Sequence, residues 1–268
     1  MQIHIFELSG VTADFPWPWL SFGSLGIKTD KSMFSLVTVA EDIFIVDGAN
    51  VRALGIPFPT RMIIVRLAGG SLWVNSPVSA PPEALNRITA LGPVRFLVAP
   101  TKMHVWRLEE WHALFPEAEL WMPPQIPNEF KHLPLAGILG DTPPRGWADD
   151  LDQLVFKGNY FIEEVYFLHK KSRTVIFGDF IQNHRPVKGR PLLNALFRLV
   201  GAAYPHGGVG WDIKLSFTNR NLARQSLDKL LSWDFDRLIL AHGVCIEKAA
   251  KPFVERAFGW LGQNAHDA

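Results

Sequence analysis

The 268-residue sequence has only one cysteine, Cys245, so the chain cannot form an internal disulfide bond. Disulfide scaffolds are typical of small secreted domains, whereas a protein in a reducing compartment does not need them. The sequence also lacks any run of about 20 apolar residues, the length that a helix needs to span a bilayer. Its N-terminus carries Glu7 and Asp14 and no cationic cluster, unlike a signal peptide. We therefore expect a soluble, cytoplasmic protein.

Neither sign of charge is in excess, because 27 Lys and Arg residues stand against 26 Asp and Glu residues and give a formal net charge of +1. A chain that binds nucleic acid or an anionic membrane through its overall field needs a basic surplus, so we expect neither partner. The G-x-G-x-x-G, Walker A and G-x-S-x-G motifs are also missing, which argues against dinucleotide binding, P-loop chemistry and an α/β-hydrolase serine. A small-molecule substrate or ligand is the expected partner, with a homodimer left open.

The sequence is rich in apolar residues. Hydrophobic residues make up 48% of the chain, and its 10 Trp and 19 Phe residues can fill a large core. Short apolar runs predict strands at 42–46, 61–67, 71–75, 94–99, 118–122, 152–156, 164–169, 173–177 and 237–240. Periodic apolar positions predict helices at 79–91, 108–114, 192–200, 219–231 and 247–261. Residues 123–150, rich in Pro, Gly and Asp, predict a long surface loop. Hairpins mixed with strand–helix units indicate two sheets sandwiched by helices in one domain.

Residues 1–40 show little periodicity and include the run Phe15-Pro16-Trp17-Pro18-Trp19. We interpret them as an N-terminal extension that packs on a domain formed by residues 41–268. The extension could simply seal an edge of the core, or it could cover a site or contribute to a dimer contact. The sequence does not decide between these roles.

Polar side chains that can bind metals recur just after predicted strands. His104 follows the strand Val94–Ala99, Asp179 follows Thr174–Phe177 and a glycine, and His242 follows Arg237–Leu240 and an alanine. Loops at strand ends converge on a rigid scaffold, so we expect these side chains to meet in one cleft. Neutral imidazoles and carboxylates are suitable ligands for zinc, manganese or iron.

A family resemblance supports this interpretation. The phrases SLWVNSPV, VRFLVAPTKMH, TVIFGDF and RLILAHG, in this order, resemble the successive motif strands of the metallo-β-lactamase superfamily. The stretches IPFPTRM, ALGPVRFLVAP and SRTVIFGD resemble an uncharacterised branch of that superfamily, a domain of unknown function. The resemblance covers roughly residues 40–260 and implies a four-layer αββα sandwich. It also implies a metal-dependent, hydrolase-like activity.

Residue by residue, the resemblance is incomplete. Asp179 matches the bridging Asp of the superfamily and His242 matches its last histidine. The main His-x-His-x-Asp-His motif is degenerate, because His104 takes at best its Asp place while Pro100 and Lys102 stand where the two earlier histidines would be. Asn75 replaces a structural Asp, which keeps hydrogen bonding and loses the charge.

The resemblance thus implies one transition-metal ion rather than two. Its expected ligands are His104, Glu164, Asp179 and His242, where Glu164 (or Glu163) lies near the place of the middle histidine. Lys102, together with Asp179, is a candidate catalytic residue that would steer an anionic group. His184 and His206 are candidates for substrate binding.

Each of these residues also has a structural interpretation. Asp179 could cap a loop, His242 could bond to the backbone in a turn, and Glu163 or Glu164 could face solvent. The lost histidine pair leaves a second hypothesis open, in which a non-catalytic protein of this fold binds a small molecule or a partner without metal.

Overall fold

Two β-sheets stack face to face in the structure, a computed structural model that describes residues 35–53 and 56–262. The first sheet contains, in spatial and chain order, β1 (Leu36–Ala40), β2 (Ile43–Ala53), β3 (Ile56–Arg66), β4 (Leu72–Asn75), β5 (Val94–Val98), β6 (Glu119–Met122) and β7 (Leu135–Ile138). Neighbouring strands from β1 to β4 pair antiparallel, and those from β4 to β7 pair parallel. The parallel half directs the ends of β4, β5 and β6 to the same edge.

The second sheet and a small ribbon follow along the chain. Their strands are β8 (Leu151–Phe156), β9 (Glu164–His169), β10 (Thr174–Phe177), β11 (Ile181–Gln182), β12 (Gly208–Val209) and β13 (Arg237–Leu240). The sheet has the order β13-β10-β9-β8, and β11 pairs with β12 in the ribbon. β10 and β13 run parallel, with Phe177 opposite Leu240. The residues that follow these two strands therefore leave the sheet side by side.

Six α-helices cover the sheets: α1 (Pro82–Thr89), α2 (Leu108–Leu114), α3 (Pro191–Val200), α4 (Trp211–Leu215), α5 (Arg220–Ser232) and α6 (Ala250–Phe258). α1 begins with a proline, where the missing N–H costs nothing. α5 begins after Asn219, whose side chain accepts from the Leu222 N–H and so acts as the N-cap. None of the helices in the described part of the chain has the length and apolar character that a bilayer crossing needs.

Three apolar cores hold these layers together. One lies between the sheets and includes Trp73 and Phe167. A second packs α1 and α2 against the outer face of the first sheet, and a third packs α5 and α6 against the outer face of the second. The result is the predicted four-layer αββα sandwich.

The prediction of a long surface loop at 123–150 was wrong. This segment contains a short 3-10 helix (Asn128–Phe130) and β7, which extends the first sheet beyond β6. β7 has only four residues and includes Gly137, which packs against the Trp121 ring, so neither its length nor its composition marks it as a strand. Trp147, in the same segment, is completely buried.

Other differences concern very short elements and the N-terminus. β11 and β12 have two residues each and α4 has five, which is too short for a periodic signal. Residues 36–40, predicted as the end of the extension, form β1 at the edge of the first sheet. The rest of the predicted extension, residues 1–34 with the aromatic run, lies outside the described residues, so the division at residue 40 stays a prediction.

Replacing Trp147 by alanine should lower the free energy of unfolding by about 3–5 kcal/mol, because it empties a large buried site. The indole packs edge-on against Phe96 and Trp121 at centroid distances of 5.0 and 5.2 Å, and its Nε1 donates to Gln153. Urea unfolding measures the effect. Trp211→Ala, at a half-exposed position, is the control and should change the free energy of unfolding by about 0.5 kcal/mol or less. Equal losses in the two variants would contradict the core position of Trp147.

Candidate metal centre

Three strand ends converge at one edge of the sandwich. Asp179 and His242 each lie two residues beyond the paired positions Phe177 and Leu240 of the parallel strands β10 and β13. The loop after β5 reaches them from the other sheet, because the Pro100 carbonyl accepts a hydrogen bond of 2.9 Å from the Val165 N–H of β9. This link between the sheets brings His104 to the same edge.

His104, Asp179 and His242 form one compact group. The Nε2 atoms of both histidines lie 3.2 Å from the same carboxylate oxygen, Oδ1 of Asp179. One ligand atom from each residue lies within 4.8 Å of the others, and both imidazoles are buried. Asp179 is 75 residues and His242 is 138 residues beyond His104 in the chain. The three side chains nevertheless lie together in one small volume, as the sequence predicted.

The outer nitrogen of each histidine is held by a hydrogen bond that fixes the tautomer. Nδ1 of His242 lies 2.7 Å from the Pro59 carbonyl oxygen, which can only accept, so Nδ1 carries the proton. Nδ1 of His104 lies 2.7 Å from the Ser76 hydroxyl, which in turn donates to Oδ1 of Asn75. Ser76 Oγ is therefore an acceptor for His104. In the neutral rings, both Nε2 lone pairs then point towards Asp179.

Asp179 is oriented from its other side by Thr101, whose hydroxyl donates to Oδ2 at 2.5 Å. Burial alone would raise the pKa of Asp179, but the charge and the Nε2–H hydrogen bonds that His104 and His242 supply when they are protonated hold that pKa well below its usual value. The carboxylate is therefore ionised and turns Oδ1 towards the two imidazoles.

Glu164 lies beneath this group rather than within it. Its carboxylate accepts the N–H groups of three consecutive residues, Gly178, Asp179 and Phe180, and the side chain is fully buried. Burial and the adjacent Asp179 charge raise the pKa of Glu164 to about 8, against the opposing effect of the three N–H donors. The oxygens of Glu164 hold the loop that presents Asp179 and lie outside the group of His104, Asp179 and His242, so its role as a metal ligand stays a prediction.

The other predicted site residues take different positions. Nζ of Lys102 lies 4.0 Å above the Phe161 ring, and burial lowers the pKa of this half-buried lysine. The His184 ring stacks on Phe197 at 4.3 Å, and burial, with the His242 charge, lowers its pKa to about 4. His206 is exposed. The structure thus brings together His104, Asp179 and His242, while the roles of Lys102, His184 and His206 in substrate binding stay predictions.

Sequence reasoning missed the groups that orient the site, namely Ser76, Thr101 and the carbonyl of Pro59. Ser76 and Thr101 could have been found, since Ser76 directly follows the predicted strand at 71–75 and Thr101 lies two residues beyond the predicted strand at 94–99. The Pro59 carbonyl could not, because a backbone oxygen leaves no mark in the sequence. Gly243, next to His242, is also required, since a Cβ there would lie 2.3 Å from the Asn183 carbonyl oxygen.

Comparison with solved structures agrees with this architecture. The DIM-1 metallo-β-lactamase aligns with a TM-score of 0.57 at 12% identity, covering 84% of this chain and 96% of that enzyme. A metallo-β-lactamase from Erythrobacter litoralis gives 0.54 at 14% identity, with coverage of 86% and 92%. FIM-1 from Pseudomonas aeruginosa, solved in a mono-zinc form, gives 0.53 at 11% identity, with coverage of 87% and 95%. The chain therefore has the metallo-β-lactamase fold.

Residues 42–186 match the family described as a domain of unknown function (DUF4336), and the chain belongs to this family. No curated protein matches the sequence. The chain thus combines membership of this family of unknown function with the metallo-β-lactamase fold. The low identity to the solved enzymes means that their likeness concerns the fold alone.

Replacing Glu164 by glutamine should lower the free energy of unfolding by about 1–3 kcal/mol, because the amide keeps one acceptor oxygen and turns an NH₂ towards backbone N–H donors. Chemical unfolding in the presence of a chelator measures this effect independently of any metal. Glu163→Gln, at the neighbouring half-buried position, is the matched control and should be nearly neutral. If both variants were equally stable, Glu164 would not anchor the loop.

Proposed function

We propose that the chain binds one transition-metal ion through Nε2 of His104, Oδ1 of Asp179 and Nε2 of His242, and acts as a metal-dependent, hydrolase-like protein. The observation that carries this proposal is the convergence of three acceptor atoms whose outer hydrogen bonds aim them at one point. Histidines that ligate metals usually donate their other N–H to a carbonyl or a similar acceptor, as both do here.

The electrostatics of the group favour a cation. When both imidazoles are neutral, each Nε2 lone pair faces Oδ1 of Asp179 at 3.2 Å, and these atoms repel unless positive charge lies among them. A proton on one imidazole would partly relieve this repulsion. A divalent ion would relieve it for all three atoms, and ligand atoms about 2.0–2.1 Å from a tetrahedral ion are about 3.3 Å apart, close to the 3.2 Å between Oδ1 and each Nε2.

The donor set also resembles that of a catalytic rather than a purely structural site. Catalytic zinc centres commonly have three protein ligands, including two histidines and a carboxylate, and keep one position open. A zinc, manganese or iron ion held here would supply Lewis acidity, which makes water a nucleophile near neutral pH. In the described ranges we find this one group of potential ligands, which fits one ion rather than two.

The residues around the group have separate tasks in this proposal. Thr101 and Glu164 hold Asp179 in place from two sides, one through a carboxylate oxygen and the other through the backbone. Lys102, at the position of a lost histidine, would place a positive charge near an anionic part of the substrate. The observation that favours the second, non-catalytic hypothesis is the loss of the two histidines whose places Pro100 and Lys102 occupy.

The purified protein, stripped with a chelator and dialysed against zinc, should retain one ion per chain by elemental analysis. Asp179→Asn should weaken zinc binding by about 100-fold or more, because it removes the charged ligand and reverses the direction of one hydrogen bond. His132→Ala, at an exposed histidine, is the control and should bind zinc like the unchanged protein. Failure to take up zinc, manganese or iron would refute the metal centre.

Hydrolysis is tested separately with activated esters and phosphodiesters. We expect turnover by the zinc-loaded protein and a loss of about 100-fold or more in Asp179→Asn, since the ion and its orientation are lost together. A protein that binds zinc yet turns over no substrate, while metabolites raise its melting temperature, would support the non-catalytic hypothesis instead.

A further inference from the structure

Helix α3 exposes an apolar stripe. Leu192, Leu196 and Leu199 recur at i, i+4 and i+7, so they lie along one side of the helix. Leu192 is 86% exposed and Leu199 is 77% exposed. The opposite side carries Phe197, which is buried against His184. The stripe therefore faces away from the sandwich, and packing among the residues that the structure describes does not account for it.

Helix α4 adds to this surface. Trp211 and Leu215, one helical turn apart, are also exposed, and Leu215 is 73% exposed. The two helices adjoin, because a Cβ on Gly210, the residue before α4, would lie 3.8 Å from the carbonyl oxygen of Val200 at the end of α3. We call the exposed side chains of Leu192, Leu196, Leu199, Trp211 and Leu215 the α3–α4 surface.

The segment that carries this surface is rich in positive charge. Residues 184–220 contain six Lys and Arg residues and a single acid, Asp212. Five of the six cations are exposed: Arg185, Lys188, Arg190, Arg198 and Arg220. The formal net charge of the whole chain is only +1, because acidic residues elsewhere offset these cations. The overall charge therefore does not reveal the basic segment. A helical segment with exposed leucines and an exposed tryptophan, together with several exposed cations, has the composition of segments that lie in a membrane interface.

We propose that the α3–α4 surface docks on an anionic lipid bilayer, with the leucines and Trp211 in the headgroup–acyl boundary and the cations against lipid phosphates. This differs from the expectation of no membrane partner, which rested on the overall charge. A second copy of the chain fits the surface less well. In a two-fold symmetric contact the same patch faces itself, so the cations would meet cations. The proposal concerns peripheral binding and is independent of the metal centre.

Co-sedimentation of the full chain with vesicles tests the proposal. We expect binding to vesicles rich in phosphatidylserine, weak binding to pure phosphatidylcholine, and a decline of binding as salt is raised. Leu192→Ser combined with Leu199→Ser should lower the partition coefficient by about tenfold or more, because fewer apolar groups enter the interface. Lys188→Glu combined with Arg198→Glu should have an effect of similar size.

Two matched controls change the same chemistry elsewhere on the protein. Leu114→Ser with Ile138→Ser alters two residues that are each 47% exposed, and Lys131→Glu with Arg145→Glu reverses two exposed cations. Both controls should bind vesicles like the unchanged protein. The proposal is overturned if the unchanged protein does not bind anionic vesicles, or if the controls lose binding equally. A third outcome would also overturn it: the protein does not bind vesicles, sedimentation velocity shows that it is a dimer, and Leu192→Ser with Leu199→Ser abolishes that dimer.

Discussion

The candidate site depends on one carboxylate oxygen, Oδ1 of Asp179, being held at 3.2 Å from two imidazole nitrogens that arrive from different parts of the chain. Like-signed acceptors do not gather without a cause, so the surrounding structure has to impose this arrangement. It does so through backbone pairing. The parallel register of β10 and β13 delivers Asp179 and His242 together, and the hydrogen bond from Val165 to Pro100 delivers the loop that carries His104.

Glu164 holds the loop that carries Asp179 in place, and it also adds a second buried acidic group to the site. This carboxyl group lies beside Asp179, and burial together with the Asp179 charge raises its pKa to about 8, so it carries little charge at neutral pH. The negative charge of the site therefore rests on Asp179, while the three backbone N–H groups bind the oxygens of Glu164. A bound divalent cation would complete the balance.

The sequence predicted the grouping of side chains correctly where a physical rule relates the order of residues in the chain to their positions in the fold. Strand–loop–histidine and strand–loop–aspartate patterns predicted the meeting of His104, Asp179 and His242, because the ends of parallel strands share one edge of a sheet. The same pattern cannot distinguish a carboxylate that faces the cleft from one that faces the backbone, which is why Glu164 was assigned as a ligand. β7 was missed because a four-residue strand with a glycine has no periodic signal. The basic, apolar α3–α4 surface was missed because net charge is a sum over the whole chain.

Anomalous diffraction from crystals of the zinc-loaded protein, recorded on both sides of the zinc absorption edge, tests the central claim most directly. The account predicts one anomalous peak about 2.0–2.1 Å from Nε2 of His104, Oδ1 of Asp179 and Nε2 of His242. A zinc peak that lies elsewhere, or density that shows the three side chains directly hydrogen-bonded with no ion among them at saturating zinc, would contradict it.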